Sequence, residues 1–311
     1  MFSETGSLRV VVLAGGESAE REISLASGRA VIDALSSAGH QTRWVDPADC
    51  DPAEVAWADF DVCFIALHGG AGEDGRIQAR LESLDVCYTG SNPAASQLAM
   101  SKSAAKERFL AAGLRTAAYC VVDCPGHAGN PSPGELGFPL VVKPDRQGSS
   151  LGVGFAADRA ELDRRVAEAS RFDNRVLVEK WIDGREFTVA LVGRRPLPLM
   201  EIVTPRGLFD YEAKYESALT EYRFDHGLVE SVASGISDRA SAAVEALGCT
   251  GLARVDLMLD RRGRAWLLEV NTVPGLTEHS LAPKAAAQAG ITMPQLCTWM
   301  LHDALAAKVT P

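Results

Sequence analysis

Short aliphatic runs alternate with amphipathic stretches along this chain, and their order predicts its architecture. Residues 8–13 (Leu-Arg-Val-Val-Val-Leu) form a β-branched run that ends at Ala14-Gly15-Gly16. Residues 23–38 then place Ile23, Leu25, Ala26, Ala30, Val31, Ala34 and Leu35 at helical spacing, and Gly39 follows as a stop signal. A second apolar run, residues 62–67, leads into His68-Gly69-Gly70. Strand, glycine turn, helix, strand is the pattern of a parallel sheet covered by helices. It predicts an N-terminal α/β domain over residues 1–94.

The middle of the chain opens with a helix near residues 101–112 that stops at Gly113. Residues 123–137 are dense in Gly, Pro and Ser and read as a surface loop. Strands are predicted at 140–143 and 176–179 with a charged helix over 159–169 between them, giving a central domain over 95–183. The remainder, 184–311, alternates strands (187–192, 252–259, 265–270) with helices near 238–247 and 293–306. No internal repeat is visible. The expected fold is α/β or α+β in three sub-domains, with ligand clefts between them.

The most informative pattern is a hairpin. Residues 252–260 (Leu-Ala-Arg-Val-Asp-Leu-Met-Leu-Asp), then Arg-Arg-Gly-Arg, then residues 265–271 (Ala-Trp-Leu-Leu-Glu-Val-Asn) read as two strands and a turn. Arg254 and Asp256 share one face, as do Glu269 and Asn271, because strand side chains alternate. A loop of residues 261–264 pairs Asp260 with Ala265, which sets Asp256 opposite Glu269 and Arg254 opposite Asn271. Cross-strand partners lie ~5 Å apart. Leu257, Leu259, Leu268 and Val270 are expected on the other face. Two carboxylates and an amide suit Mg²⁺, which takes oxygen ligands and shares them with phosphates and water. A salt-bridged solvent face is the bland alternative. The Asn271-Thr-Val-Pro-Gly275 exit favours a site.

A second candidate is the segment from Phe138 to Gly154, where Lys143 ends a strand before a Gly/Ser-rich loop. Glycines let backbone N–H groups approach phosphate, and serines add donors. Neither a GxxxxGK[ST] loop nor a GxGxxG fingerprint after the first strand is present. Residues 176–182 form an apolar strand ending in Glu179-Lys180-Trp181, an edge that could meet an adenine or simply water.

Composition narrows the function classes. The length of 311 residues permits several domains, and the formal charge of −10 argues against a general nucleic-acid binder. The seven cysteines form no CxxC pair and sit largely in apolar runs, which points to a reducing compartment without a disulfide framework. The N-terminal residues lack the basic and apolar regions of a signal peptide, and no apolar run approaches the ~20 residues that cross a bilayer. A soluble, cytoplasmic protein with no membrane partner is expected.

Five blocks occur in order: residues 15–24 (Gly-Gly-Glu-Ser-Ala-Glu-Arg-Glu-Ile-Ser), 68–75 (His-Gly-Gly-Ala-Gly-Glu-Asp-Gly), 143–150 (Lys-Pro-Asp-Arg-Gln-Gly-Ser-Ser), 210–215 (Asp-Tyr-Glu-Ala-Lys-Tyr) and 269–275 (Glu-Val-Asn-Thr-Val-Pro-Gly). Together they resemble the signature blocks of the D-alanine–D-alanine ligases of the ATP-grasp superfamily, over residues 9–301. The resemblance implies an ATP-grasp fold with an N-terminal Rossmann-like domain. It also implies ATP and two Mg²⁺ (or Mn²⁺) ions, D-alanine as substrate, a role in peptidoglycan precursor synthesis, and a homodimer. By the same resemblance, Lys102, Lys143, Ser150 and Lys214 are placed at the ATP phosphates, Glu179, Lys180 and Trp181 at the adenine, and Glu186 at the ribose. Asp256, Glu269 and Asn271 are the implied metal ligands. Glu20 and His68 would grip the first D-alanine, and Arg254 with the Gly275 backbone would stabilise the oxyanion. Ser280 and Leu281 would form the second subsite, while Ser149 and Tyr215 would bridge to Glu20.

Residues 210–228 are the expected closing loop, since an acyl phosphate must be kept from water. They depart from many relatives, which carry a proline near Asp225 or His226, and residues 123–137 are shorter than in many relatives. Three other readings stand beside this one. A ligase joining D-alanine to D-lactate is disfavoured by Tyr215, and a non-catalytic relative by the complete set of chemical residues. A carboxylase-like ATP-grasp enzyme is disfavoured by the Glu20 and His68 blocks.

Overall fold

The computed structural model describes residues 6–124, 127–128, 133–204 and 219–309, and three β-sheets organise them. In the first, β1 (Arg9–Leu13) lies between β2 (Gln41–Val45) and β3 (Val62–Ile65), all parallel. The apolar run of β1 is buried on both faces. Val10 and Val12 pack with Val31 and Leu35 of α1 (Arg21–Ser37), while Val11 and Leu13 pack with Ile77 and Leu81 of α2 (Arg76–Ser83). The sequence pattern does not reveal β2, an edge strand in which only Val45 is buried.

The second sheet is antiparallel and ordered β5-β4-β8-β6-β7, from β4 (Tyr119–Asp123), β5 (His127–Ala128), β6 (Leu140–Pro144), β7 (Gly154–Ala156) and β8 (Arg175–Lys180). The stretch expected to be only a surface loop therefore contributes β5 and a 3₁₀ turn at Pro133–Leu136. Helix α5 (Arg159–Ala169) covers this sheet through Leu162 and Ala169. Asp158 caps it by accepting from the Glu161 N–H at 2.9 Å.

The third sheet is ordered β12-β11-β9-β13-β14, with β10 (Arg195–Pro196) on β9. It comprises β9 (Gly184–Val192), β11 (Met200–Val203), β12 (Glu221–Arg223), β13 (Leu252–Asp260) and β14 (Ala265–Asn271). One face packs on α3 (Pro93–Met100), α4 (Lys102–Ala111) and α6 (Glu230–Leu247), with Phe109, Phe187, Val255 and Leu257 in the core. The other face shares a core with the first sheet, closed by α7 (Leu281–Gln288) and α8 (Met293–Val309). Helix α6 starts at Glu230, ahead of the expected 238. Serines and Gly235 weaken its local signal, and burial of Ile236 against the sheet overrides them. The mixed α/β class is as expected, and no described helix is long and apolar enough to cross a membrane.

The β13–β14 hairpin pairs Arg254 with Asn271 and Asp256 with Glu269, as its pattern predicts, but by a different route. The turn is longer than expected, with Leu259 rather than Asp260 opposite Ala265. A β-bulge between Asp256 and Leu257 restores the register. It also reverses one expectation: Leu267 enters the core, and Leu268 lines the cleft instead of facing away from it.

Asp260 ties the turn. Its carboxylate accepts from the N–H groups of Arg262 and Arg264 (both 2.9 Å), from Arg264 Nε (2.7 Å) and from Trp266 Nε1 (3.0 Å). Burial works against the charge, but these donors outweigh it and hold the carboxyl well below its ordinary 3.8. The stabilisation is therefore complete above pH 3.8 and is lost as pH falls through lower values. Asp260→Asn is expected to lower the urea midpoint at pH 7, with the gap to the unsubstituted protein narrowing below pH 4 in the same titration.

Candidate active site

Three recesses run together where the sheets meet, and Arg254 lines all of them. The first lies between the second sheet and the hairpin. Lys143, Glu179, Lys180 and Trp181 come from one side, Asp256 and Glu269 from the other, with Lys102, Ser150 and Glu186 between. Val141, Val153, Ile182, Met258 and Leu268 give it apolar walls. Trp181 is braced by the edge of the Phe155 ring at 5.3 Å.

Lys102 is positioned by the start of α4. Ser101 is the N-cap, and buried Asp145 accepts from the Ser101 hydroxyl (2.8 Å) and the Ser103 N–H (2.7 Å). A carboxylate there suits the positive end of the helix. The Lys102 ammonium then donates to the Gln147 carbonyl at 2.6 Å and lies 3.4 Å from Glu269. Lys143 lies 2.7 Å from Glu179, whose other oxygen lies 2.5 Å from Lys106. Burial opposes ionisation of Glu179, yet the two ammoniums pull its carboxyl down to about 2. Lys143 is raised, because Glu179 outweighs the effect of burial. The Glu179 carboxylate is thus spent on lysines, leaving only its backbone to meet a base. The Lys180 ammonium donates to the carbonyls of Gly137 (3.0 Å) and Phe138 (2.9 Å).

Asp256 is bound on both oxygens. Arg254 donates from Nε to Oδ1 (2.9 Å) and from Nη2 to Oδ2 (2.7 Å), and the Thr188 hydroxyl donates to Oδ1 at 2.6 Å. Asn271 Oδ1 accepts from the Val273 N–H at 3.0 Å and keeps a second lone pair. Glu186 is pushed up to about 8, first by burial and then by the charge of Asp256, with Glu269 adding. Arg254 and Lys102 answer Asp256 and Glu269, and these neighbouring carboxylates favour the protonated form of Glu186. Among the described residues no three His, Cys, Asp or Glu side chains are grouped to hold a metal. Asp256, Glu269 and the Asn271 amide instead form a partial oxygen set, which fits a Mg²⁺ ion completed by phosphates and water.

The other recesses hold Glu20, His68, Glu73, Ser149, Gly275, Ser280 and Leu281. Glu20 precedes α1, at the carboxyl ends of β1 and β3, where ligands of open α/β sheets bind. It accepts from the Ser149 hydroxyl, and a Cβ on Gly69 (φ +67°) would strike its carboxylate at 2.6 Å. Ser149 and Ser150 both sit at positive φ (51° and 54°), an unfavourable backbone for non-glycine residues that concentrates at functional sites. His68 Nδ1 lies 3.0 Å from the Val273 carbonyl, which can only accept, so this nitrogen carries a hydrogen; Nε2 shares a hydrogen bond with Ser27 Oγ at 2.8 Å. Gly275 lies so close to Ser280 that a Cβ would meet its hydroxyl at 2.6 Å, and Ser280 in turn accepts from the Thr277 N–H at 3.1 Å. Lys214 and Tyr215 lie outside the described residues.

The same fold recurs in known proteins. The family model described as D-ala D-ala ligase C-terminus matches residues 109–302, and the one described as D-ala D-ala ligase N-terminus matches residues 39–91. The chain belongs to the D-alanine–D-alanine ligase family. It is 46% identical over 305 residues to the D-alanine–D-alanine ligase of Bordetella petrii, covering 97% of this chain and 93% of that one. The ligase of Alkalilimnicola ehrlichii is 45% identical over 304 residues, with 95% and 94% covered. The crystal structure of the Bacillus anthracis D-alanine–D-alanine ligase complexed with ATP superposes with a TM-score of 0.86 at 30% identity, covering 97% of this chain and 99% of that one.

Two residues of this family member escape its motifs. Lys106 follows Lys102 by one helical turn, and a lysine on the apolar stripe with Ala105 and Phe109 is the signal that could have found it. Thr188 sits opposite Asp256 in the strand register, and alternation with Glu186 puts it on the same face. Thr188→Val is expected to lower the unfolding free energy by about 1.5–3 kcal/mol, the range for a hydrogen bond to a charged group. Urea denaturation beside Thr188→Ser, which keeps the hydroxyl and should retain most of the stability, checks this.

Proposed function

We propose that this chain joins two D-alanine molecules into D-alanyl-D-alanine at the expense of ATP, supplying peptidoglycan precursor synthesis. The observation that carries this reading is the continuity of the three recesses at Arg254, with lysines and carboxylates at one end and Glu20 and His68 at the other. In the first half-reaction a carboxylate oxygen of one D-alanine attacks the γ-phosphorus, the bond to ADP breaks, and D-alanyl phosphate forms. The amine of the second D-alanine then attacks the acyl carbon, loses a proton, and phosphate departs.

Lys102 and Lys143 neutralise the phosphates, with Ser150 and Lys214 completing that cradle. The backbone at Glu179, Lys180 and Trp181 meets the adenine, and Glu186 accepts from the ribose. Mg²⁺ held by Asp256, Glu269 and Asn271, with Mn²⁺ as a substitute, would neutralise charge on the transferring phosphoryl group. Two such ions are in keeping with the family resemblance. Glu20 holds the first D-alanine ammonium beside the His68 wall. Because His68 has both ring nitrogens engaged, it shapes that wall and holds the Val273 turn. Arg254, released in part from Asp256, and the Gly275 N–H face the developing oxyanion. Ser280 and Leu281 receive the second D-alanine, and Ser149 and Tyr215 relay to Glu20.

The three sheets support a division into 1–94, 95–183 and 184–311. Seven free thiols and the use of ATP support a cytoplasmic location, and the family resemblance supports a homodimer.

Phosphate release from Mg²⁺-ATP is expected to require D-alanine, with L-alanine inert and the dipeptide visible by mass spectrometry. D-lactate offered beside D-alanine should yield little depsipeptide; its dominance would make the chain a depsipeptide ligase. Glu269→Gln is expected to reduce kcat by about 10²-fold or more, the scale for losing one preorganised charge-stabilising group. ATP binding should change far less, and a variant with normal turnover would remove Glu269 from the metal set.

A further inference from the structure

Behind the nucleotide end of the cleft lies one cation to which the reading above gives no task. Lys106 is fully buried on α4 beside Ala105 and Phe109, where an apolar side chain would serve packing at no desolvation cost. Its ammonium lies 2.5 Å from Glu179 Oε1, donates to the Thr116 hydroxyl, and sits 5.6 Å from the centre of the Tyr119 ring. It does not line the cleft. Lys143 does, and it holds the other Glu179 oxygen at 2.7 Å.

Two ammoniums on one carboxylate leave one positive charge over. Lys106 has no route to the cleft, so that surplus is expressed at Lys143. With Lys106 removed, Glu179 and Lys143 would form a closed, neutral, buried pair. Phosphates could then recruit Lys143 only by stripping a buried carboxylate of its last partner, which is strongly unfavourable. We propose that Lys106 is a positioning residue for the nucleotide: the buried counter-ion of Glu179, which leaves Lys143 free to follow the phosphates of ATP. The same ammonium reaches the hairpin, because Thr116 passes the contact on by donating to the Leu267 carbonyl at 2.8 Å, next to the bulge that turns Leu268 into the cleft. This inference rests on the reading of the first recess as the ATP site.

The test compares ATP with adenosine, which shares the base and ribose but carries no phosphate. Binding of each to the full chain, with Mg²⁺ and without amino acid, is measured by calorimetry for the unsubstituted protein, Lys106→Met and the double variant Lys106→Met/Glu179→Gln. Lys106→Met is expected to bind ATP about tenfold more weakly, with adenosine affinity unchanged. The double variant removes the trap on Lys143 and is expected to restore the ratio of ATP to adenosine affinity to within about threefold of the unsubstituted protein's. Equal weakening for ATP and adenosine, unchanged ATP binding in Lys106→Met, or a folded double variant that does not regain that ratio would each overturn the proposal. The double variant carries no unpaired buried charge at these two positions, so it keeps the test decisive if Lys106→Met alone does not fold. Unsubstituted protein that prefers ATP no more than adenosine would instead remove the ATP reading itself.

Discussion

Strand β13 is buried along nearly its whole length, so the opposite charges on one of its faces must be satisfied inside the protein. Arg254 and Asp256 satisfy each other through two hydrogen bonds, and Thr188 on the neighbouring strand completes the set. The other face of the same strand, through Val255 and Leu257, anchors the core against α6. One strand therefore does two things that cannot be separated. Its apolar face fixes the sheet, and that fixes where the charged face opens into the cleft. Arg254, held on this buried strand, lines all three recesses.

The remaining charges follow a common logic. Three carboxylates taken from water are each given a cation or a set of donors: Glu179 has two lysines, Asp145 the start of α4, and Asp260 the hairpin turn. Around Glu186, Asp256 and Glu269 the carboxyl groups crowd one another, which with burial raises Glu186. Around Lys106 and Lys143 the balance is positive. A lysine-lined wall facing a carboxyl-lined one would suit a nucleotide carrying a divalent cation, in keeping with the proposed function.

Elements joined by local signals were legible in the chain. The βαβ start, helix α5 and the β13–β14 hairpin were expected from their patterns, although Asp256 meets Glu269 only because a bulge offsets the longer turn. Elements whose stability comes from packing were not. Strand β2 has one buried residue, and the first turns of α6 are rich in serine and glycine; both owe their form to the surfaces they cover. The bulge is another such case. Nothing in Leu267-Leu268-Glu269 says which leucine turns inward, because both are equally apolar, and the core around Phe109 and α6 makes the choice.

The sequence by itself determined the family blocks, the mixed α/β class and the face shared by Arg254 and Asp256, since these depend on residue identity and on the period of two along a strand. Only the tertiary structure decided that the Glu179 carboxylate is held between Lys106 and Lys143 and that both His68 nitrogens are engaged. The physical reason is that ion pairs and hydrogen bonds between remote segments carry no local signature. A lysine or a histidine reads the same along the chain whether it faces a ligand or a buried partner, and only the packing of three sheets against one another settles which it meets.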